Sequence, residues 1–283
     1  GIAVPGDYAA GFAQATSQWW GVQFSSSRLI STAGGNVRIW GKSYASPGVT
    51  HLLGISIPGG LIDAGSGSVE LKGLTSGAPS TSGNPNYGVL IESGSAEIKA
   101  SAGISIEGEA SIQDNHQGVV ITGAILDSGS ATTTVTSVRR TALGAGNLWK
   151  SPTALSASTD ISVTGSQTAN SSFTATCSAG AFTNASGPID SAGALTINCR
   201  DITTSAALTA GGNLTLDNHS TSSTTAVTVN ANLVADVAGG SILMKSRSDI
   251  ILGTSVSVQT AGRLNGAGGN IVLWSDSDAS GQG

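Results

Sequence analysis

The residues able to do chemistry in this chain are few. Its two cysteines, Cys177 and Cys199, stand roughly one compact coil apart. Each ends a strand-like phrase, Thr174-Ala175-Thr176-Cys177 and Thr196-Ile197-Asn198-Cys199. Equivalent positions on stacked coils are about 4.8 Å apart, inside the Cα range a disulfide accepts. The spacing therefore predicts a disulfide; two reduced thiols in a core ladder are the alternative. Asp276-x-Asp278-x-x-Gly281 sets oxygen atoms at alternate positions, as a calcium loop does. It lacks the later bidentate acid, and an Asx-rich turn is the plainer reading. Asp276 with Asp278, and Glu107 with Glu109, also supply paired carboxylates of the kind glycoside hydrolysis uses. Neither pair has a basic or aromatic partner in sequence, and Arg139-Arg140 has no acidic neighbour. His51, His116 and His219 are isolated and read as surface residues. With no nucleophile motif, the sequence assigns no catalytic residue, no cofactor and no metal beyond the weak calcium candidate Asp276 and Asp278.

The elements that must position these groups announce themselves by repetition. A glycine step followed by alternating apolar and polar residues appears as Gly34-Gly35-Asn36-Val37-Arg38-Ile39-Trp40 and Gly67-Ser68-Val69-Glu70-Leu71-Lys72. It returns around Gly103, Gly193, Gly211, Gly239 and Gly268. Alternation turns every second side chain to one face of a short strand. Such a strand cannot bury that face alone, so its copies must stack. The expected fold is all-β, a right-handed parallel β-helix with variable loops at one corner. Val37, Ile39, Val69, Leu71, Ile104, Ile106, Leu195, Ile197, Leu214, Leu216, Ile271 and Leu273 should point inward.

The early copies read as triplets of strands: Val37–Trp40, Val49–Ile57 and Leu61–Asp63 form the first. Each second strand opens on Gly-Val, at Gly48-Val49, Gly88-Val89 and Gly118-Val119. Residues 128–192 look less regular, with a lateral excursion over 139–152. Residues 1–33 stand apart from the repeat domain, 34–283. They hold Tyr8, Phe12, Trp19, Trp20 and Phe24, which suit an N-terminal cap or a junction between subunits. Asp7 could cap a short helix running to about Trp20.

Composition excludes several classes. The 283 residues include 40 glycines; 39% are hydrophobic and only 10% charged, which is not a disordered chain. A net charge of -5, with twelve unclustered basic residues, argues against nucleic acid. The apolar runs are too short to span a membrane. Thr-x-Thr segments are scattered, which disfavours ice binding. The opening Gly1 and the missing signal peptide suggest part of a longer secreted polypeptide.

The phrases Gly-Gly-Asn-Leu-Thr-Leu (211–216) and Gly-Gly-Asn-Ile-Val-Leu-Trp (268–274) resemble repeats of giant secreted bacterial exoproteins of the filamentous-haemagglutinin type. The resemblance implies a right-handed β-helix, export by two-partner secretion, and work in adhesion or surface structure. The secretion domain of such proteins is not found; Asn84-Pro85-Asn86 resembles one of its motifs but lies in a variable corner. The expected function is a non-catalytic, secreted or cell-surface fibrous segment of a bacterial filament or adhesin. Its expected partners are other copies of itself, and carbohydrate or a cell surface. The alternative is a carbohydrate-active β-helix enzyme, a polysaccharide lyase or glycosidase.

Overall fold

The computed structural model describes residues 13–14, 20–24, 28–43, 52–75, 85–92, 94–110, 116–219, 225–260 and 267–277. The chain forms two compact units, residues 1–142 and 143–283. Both follow one plan: an all-β, right-handed parallel β-helix in which each coil gives one strand to each of three sheets.

In residues 1–142 the first sheet stacks Ala13–Gln14, Val37–Lys42, Val69–Leu74, Ile104–Glu109 and Thr133–Ser137. The second stacks Trp20–Gln23, Leu53–Ile57, Tyr87–Glu92 and Gln117–Thr122, and the third Leu29–Ser31, Gly60–Asp63, Ala96–Lys99 and Ile125–Asp127. Register keeps like residues together. Val37 partners Val69, which partners Ile104; Ile39, Leu71 and Ile106 do the same two residues on. These side chains are buried, so each inward row is a continuous apolar ladder whose burial drives the stacking.

In residues 143–283 the first sheet stacks Thr153–Ala157, Phe173–Cys177, Leu195–Cys199, Leu214–Asn218, Ile242–Lys245 and Ile271–Trp274. The second runs from Ile161–Val163 to Asp249–Leu252, and the third from Asn147–Trp149 to Val258–Thr260. Leu195, Ile197, Leu214 and Leu216 are fully buried. Ile271 and Leu273 depart from the expectation: they are 45% and 49% exposed. Their strand pairs on one side only, with Ile242–Lys245, and no described strand covers its other edge.

Three further expectations are corrected. No helix runs through to Trp20, because Ala13–Gln14 is a strand paired with Gly41 and Lys42 and Trp20 opens the strand Trp20–Gln23; Asp7 lies outside the described residues. Strand pairing with the next coil satisfies backbone groups there, and it outweighs a weak helical preference. Solenoid strands thus already occur within residues 1–33. Second, the early second strand begins at Leu53, not Val49; Leu53 partners Tyr87 and Ile55 partners Val89. Gly54 therefore occupies the place of Gly88, and Gly48-Val49 lies outside the described residues. Third, residues 139–152 make no excursion. They contain the regular strands Arg140–Leu143 and Asn147–Trp149.

The reason for that third miss is a polar interior. Thr133, Ser137, Asn147, Thr153 and Gln167 are buried at inward positions. Gln167 Oε1 accepts hydrogen bonds from Asn147 Nδ2 at 3.0 Å and Trp149 Nε1 at 3.2 Å. Trp149 packs edge-on against Phe173, centroids 5.9 Å apart. Satisfied polar groups replace apolar ones, and the hydrophobic alternation fades while the coil persists.

Candidate functional site

Cys177 and Cys199 form a disulfide, with Cα atoms 4.5 Å apart and both residues buried. The register explains the geometry. Thr176 partners Asn198 on adjacent strands, which stacks the next inward residues on one another. Ala157 partners Cys177, and Cys199 partners Asn218, so the disulfide occupies one inward row that runs from alanine to asparagine.

The other sequence candidates do not converge. Asp276 sits at φ 50°, in the left-handed region that suits a turn aspartate; Asp278 lies outside the described residues. Among the described residues no group of three His, Cys, Asp or Glu side chains could hold a metal ion. Glu107 makes a 2.8 Å ion pair with Lys72, and Glu109 is exposed at its strand end. The Arg139 N–H donates to Ser137 Oγ, whose hydroxyl donates to the Arg140 carbonyl, both at 3.1 Å.

One histidine, His116, corrects the surface reading, and His51 lies outside the described residues. His116 is 1% exposed, at the corner where Gln117 N–H donates to the Asn86 carbonyl of the coil before. His219 is half-buried, its Nδ1 2.7 Å from Asn198 Oδ1. Of the N-terminal aromatics, Trp20 partners Leu53 and is half-buried. Phe24, also half-buried, donates its N–H to the Ser56 carbonyl. Tyr8, Phe12 and Trp19 lie outside the described residues.

A further set of residues comes together only in the folded chain. On the outer face of the first sheet of residues 143–283, Thr176 partners Asn198, Asn198 partners Asp217, Asp217 partners Lys245 and Lys245 partners Trp274. Each is the fourth residue of its strand phrase, and one comes from every coil. Beside this row runs a groove lined by Thr176, Cys177, Ser178, Asn198, Asp217, His219, Lys245 and Arg247. Lys245 Nζ lies 3.8 Å from Asp217 Oδ2 and 5.8 Å from the centroid of the Trp274 ring. Trp274 is 52% exposed. Trp40 has the same strand position in residues 1–142 but is tied down, its Nε1 donating to Glu70 Oε1 at 3.1 Å. The signal was present in the phrases Leu214-Thr215-Leu216-Asp217 and Ile242-Leu243-Met244-Lys245, yet nothing local ties one to the next.

The structure also gives the asparagine of the Gly-Gly-Asn phrase a role that sequence reasoning missed. Asn36 Oδ1 accepts the backbone N–H of Ser68, one coil on, at 3.0 Å. Asn213 Oδ1 accepts that of Ser241 at 3.0 Å, and Asn232, which follows Asn230-Ala231 rather than two glycines, makes the same bond to the Ser257 N–H at 2.9 Å. Each asparagine thus latches the entry of the following strand. No known protein family, curated protein or solved structure matches the chain.

Proposed function

We propose that this chain is a non-catalytic, secreted or cell-surface structural segment of a bacterial filament or adhesin, and that it associates with further copies of itself through its strand edges. The observation that carries the reading is the strand Ile271–Trp274. Ile271, Val272, Leu273 and Trp274 are 45%, 44%, 49% and 52% exposed. Edge strands of soluble proteins are ordinarily short, charged or covered. This one is apolar and follows Asn270, the asparagine of the phrase whose earlier copies latch the next coil. Asn270 is exposed, its own N–H already held by Ser241 Oγ of the coil before. Such an edge suits one more parallel coil.

The half-buried Trp20, Val22 and Ile30 of the first described coil offer the complementary apolar edge. A head-to-tail contact of two unlike edges generates an open fibre wherever its rotation does not close into a ring. The buried disulfide suits an oxidising, extracellular setting. The resemblance of the Gly-Gly-Asn phrases to filamentous-haemagglutinin-type exoproteins supports the same assignment.

Light scattering across a concentration series tests it. The parent chain should grow into larger species with concentration, and Val272→Lys, which puts a charge on the apolar edge, should keep it monomeric. Trp19→Ser with Trp20→Ser should act alike from the other edge. A parent chain that stays monomeric at high concentration would sink the assembly reading.

A further inference from the structure

From the groove on the first sheet of residues 143–283, we infer a binding site for an acidic oligosaccharide. This deepens the adhesive half of the proposed function and rests on it. The groove crosses four successive coils, marked by Thr176, Asn198, Asp217 and Lys245. At about 4.8 Å per coil it extends roughly 14 Å. That step is close to the rise of one residue in a stretched sugar chain, so each coil can meet one sugar. Its lining is what sugar hydroxyls require: hydroxyls at Thr176 and Ser178, an amide at Asn198, a carboxylate at Asp217 and an imidazole at His219. Thr176, Asn198 and Asp217 stand on paired strands, while Ser178, bonded to the Ser158 carbonyl, and His219, bonded to Asn198, directly follow two of those strands, so the groups are held in place before a ligand arrives.

Charge gives the class of sugar. Arg247 and Lys245 both line the groove, against the single carboxylate of Asp217. Lys245 is already engaged by Asp217 and by the Trp274 ring. Arg247 makes no hydrogen bond or ion pair among the described residues. A half-buried guanidinium in a groove, on a chain of net charge -5, offers a planar two-pronged donor to a carboxylate or sulfate. Trp274 follows Lys245 in the outward row and exposes an apolar ring on which the C–H face of a sugar can lie.

Titration calorimetry on the dilute, monomeric chain of 283 residues tests the site with trigalacturonate, its neutral methyl ester, a sulfated trisaccharide and citrate. Trigalacturonate should bind and weaken as salt rises. The methyl ester and citrate should bind at least about tenfold more weakly, the first lacking charge and the second lacking sugar. The sulfated trisaccharide tells the source of the acid: tighter binding than trigalacturonate assigns a sulfate ester, weaker binding a uronate. Arg247→Gln should weaken binding about tenfold, as should Trp274→Ala. Lys99→Gln, an equal charge change outside the groove, should leave it unaltered. Circular dichroism confirms that each variant is folded. Failure of both acidic trisaccharides to bind the parent chain overturns the inference, as does equal binding of citrate, or equal loss in Lys99→Gln and Arg247→Gln. These results leave light scattering untouched, so the groove and the assembly reading fail separately.

Discussion

Two neighbouring residues of one phrase do different work. Asn213 is exposed, and its side chain makes a single hydrogen bond among the described residues, Oδ1 accepting the Ser241 N–H, while its backbone carbonyl accepts the Leu195 N–H. Leu216 is fully buried between Ile197 and Met244 in the inward ladder. Removing the asparagine amide leaves a donor that water can reach, so Asn213→Ala should cost only about 1 kcal/mol. Leu216→Asp buries a charge without a partner and should cost about 3–5 kcal/mol. Urea unfolding of the two variants against the parent measures both, and similar losses would mean the ladder is not the core it is taken to be. The same logic explains why polar residues are tolerated inside. Gln167 is buried, but its Oε1 accepts from Asn147 and Trp149, and its Nε2 donates to the Gly165 carbonyl.

At the scale of the strand, one inward row is reserved for the smallest side chains. In residues 1–142 it is Gly41, Gly73 and Gly108, partnered in sequence along the first sheet. A Cβ on Gly73 would collide with the Gly88 carbonyl oxygen of the second sheet, and one on Gly108 with that of Gly118. The two sheets meet there backbone to backbone. Gly94 has nothing within 4 Å of its would-be Cβ and lies in a turn. Gly73→Ala should therefore lose about 2 kcal/mol or more through forced backbone movement, and Gly94→Ala should be near neutral. Denaturation midpoints decide it; a Gly73→Ala chain as stable as Gly94→Ala would show that the corner yields. In residues 143–283 the corresponding row holds Ala157, Cys177, Cys199 and Asn218. There the row carries side chains in place of glycine, and the stacked pair Cys177 and Cys199 forms the disulfide.

Across the molecule, stability in each unit is the sum of coils and of contacts between neighbouring coils. A covalent link between two coils acts differently, because it restricts the unfolded chain. Cys177–Cys199 closes a loop with a sequence separation of 22. The loop-entropy account gives about 3 kcal/mol for a bond of that span. Intact mass after alkylation of the unfolded, unreduced chain should show no added group. Reduction followed by alkylation should add two groups and lower the unfolding free energy of the unit by about that amount. Two labels without reductant would remove the disulfide from the account of this fold.

The sequence by itself determined the solenoid, its inward ladders and the cysteine pair. All three follow from local facts. Period-two alternation after a glycine decides which face of a strand is buried, as at Val69 and Leu71, and a spacing near one coil stacks Cys177 on Cys199. Coils whose inward residues are polar escaped that logic, since Thr133 bonds to Ser128, and Asn147 to Gln167, by hydrogen bonds that no hydropathy pattern records. The start of the second strand at Leu53 escaped it too, because connections of unequal length, 43–52, 75–86 and 110–116, separate it from the first. The groove was decided by tertiary structure alone. Asn198, Asp217, Lys245 and Trp274 share a row only after intervening loops of different lengths are folded away. An outward row carries no burial to enforce it, so nothing in the chain's alternation marks which outward residues will meet.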